Sequence, residues 1–358
     1  MRIRDVYLLN GSSLNDSDTV TINLPRTWKI LSIRIQYQDK NGATSNTLCR
    51  LNGLVSKIAV IDGSDVLHSL SMREEQALNA FTYGRLPFQL LSEDDDIVVI
   101  EECIIDFRRH LGDTQFFLDT SKYANPQLQL THALTVSATA GFVTGQGTLT
   151  VIARIIDSGA PSQLGFVLSK EVDSFSSTSS GDHRTILPND FPIGKVLVIN
   201  PVDGNTADNY ISNFKLTADI DTYVPVNISI GDILRENMNR YGEFWQRIDA
   251  LPDTSATLTG DLYYRTRAWT APEGATSLGV ITAITANQAT LAMTTGGSGP
   301  IGTVIQGQAP HAGFIYNFGD GYSPDQIWSP QGVGKFEAVI TGANTGATVK
   351  VVTVQQHP

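Results

Sequence analysis

Apolar and polar positions alternate with a period of two in short runs along this chain, and turn residues separate the runs. Thr19 to Leu24 (TVTINL) and Trp28 to Tyr37 (WKILSIRIQY) follow this pattern with Pro25 between them, which predicts two strands. Val55 to Ile61 and Val66 to Leu70 flank Asp62-Gly63, the signature of a hairpin. Ile97 to Phe107 (IVVIEECIIDF) is apolar and β-branched almost throughout, as a buried strand requires. Gln127 to Val136 and Gly147 to Ile156 complete the set. A helical pattern interrupts it once, from Ser71 to Tyr83. Ser71 and Glu74 form a capping box, and Gly84 supplies the residue that closes a helix. Many strands, one helix and regular turns predict an all-β sandwich or jelly roll, with Ile35, Ile58, Val99, Ile104 and Val151 in its core.

The pattern then recurs. Val55 to Gly84 aligns with Asn213 to Gly242 at one constant offset, which pairs Lys57 with Lys215, Val66 with Val224, Ser71 with Ser229, Asn79 with Asn237, Tyr83 with Tyr241 and Gly84 with Gly242. Asp232 stands where Glu74 completes the first cap. A second stretch agrees at a slightly larger offset: Leu24-Pro25 meets Leu187-Pro188, Ile30 meets Ile193, Ile33 meets Val196 and Ile35 meets Val198. The difference needs only a shorter loop, a change that loops tolerate and strands do not. The expected organisation is therefore two tandem eight-stranded jelly rolls, residues 1–160 and 161–358, each with one prominent helix. Thr257 to Thr266 is taken as the second copy's equivalent of Ile97 to Phe107, and Lys335 to Thr341 with Ala347 to Gln355 as its closing strands. The second copy is longer by roughly forty residues, which predicts an insertion within 268–325 that stands out as a tower; Thr294 to Gly299 (TTGGSG) reads as an exposed turn in it.

Composition narrows the function. The chain has 358 residues, 41% of them hydrophobic, and a net charge of −11, so it holds real cores but lacks the clustered cations of a nucleic-acid surface. No signal peptide and no membrane-spanning run is seen, which predicts synthesis in the cytosol. Cys49 and Cys103 read as reduced, buried thiols.

Candidate chemistry is sparse. His68, His110, His132, His183, His311 and His357 are isolated in sequence, whereas a cupin-type metal site needs two histidines on one strand with a third and a carboxylate. There is no phosphate loop and no nucleophile elbow. Glu101, Glu102 and Asp261 are carboxylates of the type a glycosidase uses, but adjacent strand residues face opposite ways, so Glu101 and Glu102 are not a pair. Glu93 to Asp96 and Asp320-Gly321 have the oxygen-rich look of cation loops without the spacing of one, and read as solvated turns. Trp269, Tyr316, Tyr322 and Trp328 lie in or beside the insertion, where they could stack on sugars or pack it against the body. No catalytic, cofactor-binding or metal-ligating residue is assigned, and no cofactor is expected.

The order of strand, DGS turn, Ser-capped helix ending in Tyr-Gly, the IIDF strand and then FFLDTSKYANPQLQL, echoed by NISIGDILRENMNRYG, resembles the double jelly-roll major capsid proteins of tailless icosahedral viruses, the lineage that includes adenovirus hexon. The resemblance covers nearly the whole chain and centres on Leu118 to Leu130. It implies a structural protein, not an enzyme. Three chains would form a pseudo-hexameric homotrimer through head-to-tail contacts that close after three steps. Trimers would tile an icosahedral virion shell around an internal membrane, assembled in the host cytoplasm. The implied partners are neighbouring capsid trimers, vertex (penton) proteins and minor capsid proteins, with no direct nucleic-acid contact. An internal viral membrane, met through Arg2 and Arg4, and a host receptor, met through the insertion, are further candidates. The alternative is a secreted two-jelly-roll glycan-processing enzyme or lectin.

Overall fold

The alternating runs pair into sheets much as their phase predicts. The computed structural model describes residues 1–43, 46, 49–137, 141–200, 205–250, 255–272, 279–284, 290–295, 301–329 and 332–358. In chain order its elements are β1 (Arg2–Ser13), β2 (Ser17–Asn23), β3 (Lys29–Lys40), α1 (Leu51–Leu54), β4 (Val55–Asp62), β5 (Asp65–Leu70), α2 (Met72–Tyr83), β6 (Gln89–Ser92), β7 (Val98–Asp106), β8 (Leu118–Asp119), β9 (Pro126–Ala133) and β10 (Thr148–Ser158). There follow β11 (Phe166–Ser176), β12 (Asp182–Ile186), β13 (Ile193–Ile199), α3 (Ala207–Tyr210), β14 (Ile211–Ala218), β15 (Tyr223–Ser229), α4 (Ile230–Tyr241), β16 (Phe244–Ala250), β17 (Ser255–Thr259), β18 (Leu262–Pro272), β19 (Gly279–Ile284), β20 (Thr290–Thr295), β21 (Ile301–Pro310), β22 (Gly313–Asn317), β23 (Phe336–Gly342) and β24 (Thr348–His357).

Pairing repeats between the halves. β1, β10, β3, β7 and β6 form one sheet of the first sandwich and β2, β9, β4 and β5 the other; β11, β24, β13 and β22 face β12, β23, β14 and β15 in the second. Ile30, Ile33 and Ile35 of β3 are fully buried, as are their counterparts Ile193, Val196 and Val198 of β13. Each sandwich encloses its own core. Of the five predicted core residues, Ile35, Ile58, Val99 and Val151 are buried. Ile104 is only half-buried, because Cys103 and Ile105 hold the inward phase of β7.

The sandwiches share sheets. β5 meets β11 in parallel at Ser69 and Lys170, and β6 meets β16 in parallel at Leu91 and Ile248. Between them runs α2, packed with Leu91, Val167, Leu197, Phe244 and Ile248 in a third apolar cluster. Burial on all sides explains why nine of its residues, including Glu74, Glu75, Gln76 and Asn79, are buried, whereas α4 buries only Ile230, Ile233, Leu234 and Asn237.

Two expectations are corrected. Thr257 to Thr266 does not match Ile97 to Phe107: residues 255–259 belong to a separate small sheet, β17-β20-β19, and β18 pairs with β21. The equivalent of β7 is β22, which pairs with β13 as β7 pairs with β3. The extra chain therefore lies between α4 and β22, upstream of where length alone put it, and residues 268–272, 301–310 and 313–317 of the expected 268–325 span belong to the long sheets. Most of the TTGGSG turn falls outside the described residues.

Candidate functional site: the junction around the buried helix

The two helices start and stop as their caps dictate. The Ser71 hydroxyl accepts from the Glu74 N–H, and the Glu74 carboxylate accepts from the Ser71 N–H in return. At α4 the Ser229 hydroxyl accepts from the Asp232 N–H at 3.2 Å, but the shorter aspartate bonds that same hydroxyl at 2.6 Å and not the backbone. Gly84 and Gly242 close the helices at φ 70° and 74°, values that favour glycine.

Identical residues of the two copies do identical work. The Asn79 side chain donates to the Ile104 carbonyl at 2.7 Å and accepts from its N–H at 2.7 Å. Asn237 does the same to Ile315, at 2.7 and 2.8 Å. Two residues further along each strand, the Tyr83 hydroxyl donates to Asp106 at 2.6 Å and Asn317 donates to the Tyr241 hydroxyl at 2.7 Å. Each helix is thereby keyed to the outer edge of one strand, and IIDF (104–107) corresponds to IYNF (315–318).

Polar residues of both halves meet beside α2. Glu101 of β7 faces inward, accepting from the Asn52 N–H at 3.4 Å and from the Gln76 amide at 3.3 Å. Asp261, from the extra chain, accepts from Arg50 at 3.3 Å and from Gln246. His311 bonds Gln76 at 2.9 Å and stands 3.5 Å from Asp261. Of these residues Arg50, Glu101 and Asp261 border a cleft of about 310 Å³. Burial, then the nearby Asp261 charge, pushes the Glu101 carboxyl up to about 7. Asp261 goes the other way: burial would raise it, but Arg50, His311 and Arg73 together hold it below the ordinary range. Glu93, also bordering the cleft, is pushed up to about 7 by burial. The Glu74 cap extends the junction, since Lys350 of β24 lies 3.5 Å from it and 2.7 Å from Glu171.

The remaining sequence candidates scatter. Glu102 turns away from Glu101 onto the outer face of β7, near Arg34. His68 is buried 2.8 Å from Glu75; His132 bonds the Asn15 carbonyl at 2.8 Å; His183 pairs with Asp173 at 2.8 Å. His110 and His357 lie against Tyr322 and Phe166. Among the described residues no group of three or more His, Cys, Asp or Glu side chains is arranged to hold a metal. Asp320 accepts from the Tyr322 and Ser323 N–H groups, the geometry of a tight turn. Trp328 stacks on Phe336, Tyr316 lies against Phe318, and Trp269 packs edge-on to Trp245. Cys103 is buried, but Cys49 is only half-buried. Arg2 and Arg4 both pair with Asp157, so β1 is an edge strand with internal charge partners. Among the described residues no helix is long and apolar enough to cross a membrane.

The Leu118 to Leu130 segment is a strap. The Thr120 hydroxyl bonds the Pro25 and Trp28 carbonyls, and Asp62 accepts from the N–H groups of Ala124 and Asn125. Sequence reasoning marked the segment but missed these partners; it also missed Gln76, and it weighed His311 only as an isolated histidine, without its place at the junction. Nothing in their local sequence announces them, because contacts between halves join residues far apart in the chain.

No protein-family model matches the sequence, and no curated protein does. Solved structures match over their full length. A crystal structure of the major capsid protein of Sulfolobus Turreted Icosahedral Virus, 11% identical, superposes with a TM-score of 0.62 over 100% of this chain and 97% of that one. This chain is a double jelly roll. The PBCV-1 virus capsid protein (8% identity, TM-score 0.59, 99% and 93% covered) and the major capsid protein of bacteriophage PM2 (9%, 0.56, 100% and 98%) share the double jelly roll. At such identities the likeness is one of fold, and its reach across both jelly rolls and their junction agrees with the repeated Asn79 and Asn237 contacts.

Proposed function

We propose that this chain is the major capsid subunit of an icosahedral virus, with residues 1–160 and 161–358 as its two jelly rolls. The observation that carries the reading is the end-to-end match of the double jelly roll to three capsid proteins. Two similar lobes per chain let three chains present six lobes, so a closed trimer tiles like a hexagon, through one type of head-to-tail contact. The net charge of −11 favours a shell that does not itself neutralise the genome, and an internal membrane would then lie between the two. The small β17-β20-β19 sheet is the part we assign to a tower facing the outside, open to a host receptor or a neighbouring trimer. Vertex and minor capsid proteins complete the expected partners, with assembly in the host cytoplasm.

The glycan-processing alternative rests on Glu101 and Asp261, whose carboxyls are pushed in opposite directions as an acid and its partner would be. Their exposures of 1% and 2% count against it, since protein donors already occupy both carboxyls. Electron microscopy of the purified protein tests the proposal: six-lobed particles of hexagonal outline are expected, and uniform two-lobed single chains with affinity for glycans would overturn it.

A further inference from the structure

An isoleucine stands out on a hairpin tip of the second jelly roll. The hairpin between β14 and β15 turns through Asp219, Ile220 and Asp221, at φ 47°, 54° and 65°, a left-handed conformation that a β-branched side chain rarely adopts. The turn is held there. Asp219 accepts from the Gly334 and Lys335 N–H groups at 2.9 Å each, and Asp221 bonds the Thr217 hydroxyl at 2.7 Å and the Lys215 ammonium at 2.7 Å. The result is a fixed tip that leaves Ile220 81% exposed between two carboxylates. A rigid apolar knob in a strained turn gains nothing for the isolated chain, whose hairpin could turn on glycine or asparagine.

A matching recess lies on the first jelly roll. Beside the C-terminal end of α2, the outer face of β3, β7 and β10 forms a groove of about 670 Å³. Its apolar lining includes Ile152, Phe88 and Leu111, the last two 56% and 60% exposed. Arg34, Arg85, Arg108 and Arg154 also line it, with the carboxylates Asp5 and Glu102. Arg154 pairs with Asp5 and Arg108 with Asp106, Arg34 lies near Glu102, and Arg85 makes no ion pair among the described residues. An apolar knob between carboxylates and a groove with an apolar patch among more arginines than carboxylates are complementary in both polarity and charge.

We infer that the Ile220 tip of one copy docks in the Phe88–Leu111 groove of the next. The contact joins two different surfaces, so it is head-to-tail, the kind that closes into a ring or runs on as a filament. The inference rests on the self-assembly proposed above and adds the surfaces that carry it.

The test mixes two variants of the full chain, Ile220→Cys and Leu111→Cys, and oxidises the mixture with diamide. A disulfide-linked dimer is expected at least tenfold above that from either variant or the wild type alone. Light scattering on unoxidised protein reports assembly separately. Normal assembly without the mixed dimer overturns the docking contact and leaves the capsid reading standing; no assembly even in the wild type overturns both. In parallel, Ile220→Asp should raise the concentration needed for half-assembly at least tenfold, and Ile220→Leu should change it less than twofold. Equal behaviour of these two variants, each with a wild-type circular dichroism spectrum, would also overturn the contact.

Discussion

Asn79 and Asn237 show how much one side chain decides in this fold. Each satisfies both backbone groups of a strand residue that has no strand on that side at that point. Removing the amide leaves a buried N–H and C=O without partners, so Asn79→Ala and Asn237→Ala should each destabilise by about 1–3 kcal/mol, measured by denaturant unfolding. The buried site at Asn79 should suffer more than the site on α4, which is open on one side. Glu101 sets a pH dependence. Its folded pKa, raised to about 7 by burial and by Asp261, lies above the roughly 4.3 of an unfolded glutamate. Between these values the folded state binds more protons, so its contribution to stability is full at low pH and is lost as pH rises toward 7. Glu93 and Glu74, both raised to about 7, act in the same sense. The melting temperature should therefore fall from pH 5 to pH 8, and Glu101→Gln should reduce that fall by a few degrees. A steeper fall in the variant would contradict the assignment.

At the scale of elements, local signals were legible and long-range ones were not. Ser71, Glu74 and Gly84 announce a helix because caps act within a few residues, and α2 begins and ends where they place it. The alternation of β3 and β10 announces which residues face the core, since the period of two is a local property. Ile104 was misphased because IVVIEECIIDF carries apolar residues on both faces, the outer one lining the groove beside α2, so little alternation remained to count. The strand match to β7 failed for a related reason. TLTGDLYYRT looks like a strand and is one in part, yet the deciding feature is the contact from Asn237 to Ile315, invisible until the chain is folded. The β5–β11 and β6–β16 junctions carry no local signature at all. The extra chain gives a test at this scale. β21 is paired on both sides, with β16 and β18, whereas the β17-β20-β19 sheet pairs only within itself. Replacing residues 273–300 with a short Gly-Ser linker should leave a cooperative unfolding transition within a few degrees of wild type. Extending the deletion through β21 should abolish folding, as seen by loss of the near-ultraviolet circular dichroism signal.

For the whole molecule, duplication explains the architecture and underlies the proposed assembly. Two sandwiches with equivalent pairing, joined through continuous sheets and a shared helix, make one continuous body with two similar lobes. Such a body suits pseudo-sixfold packing, because three copies offer neighbours six comparable faces. The buried polar junction fixes the lobes relative to one another, with Glu101, Asp261, Gln76 and His311 drawn from segments far apart in the chain. The central claim is that this body assembles with itself into a closed ring of three. Sedimentation equilibrium across a hundredfold range of concentration tests it most directly: the account predicts a species of three times the chain mass that persists on dilution, and a single-chain mass throughout that range would contradict it.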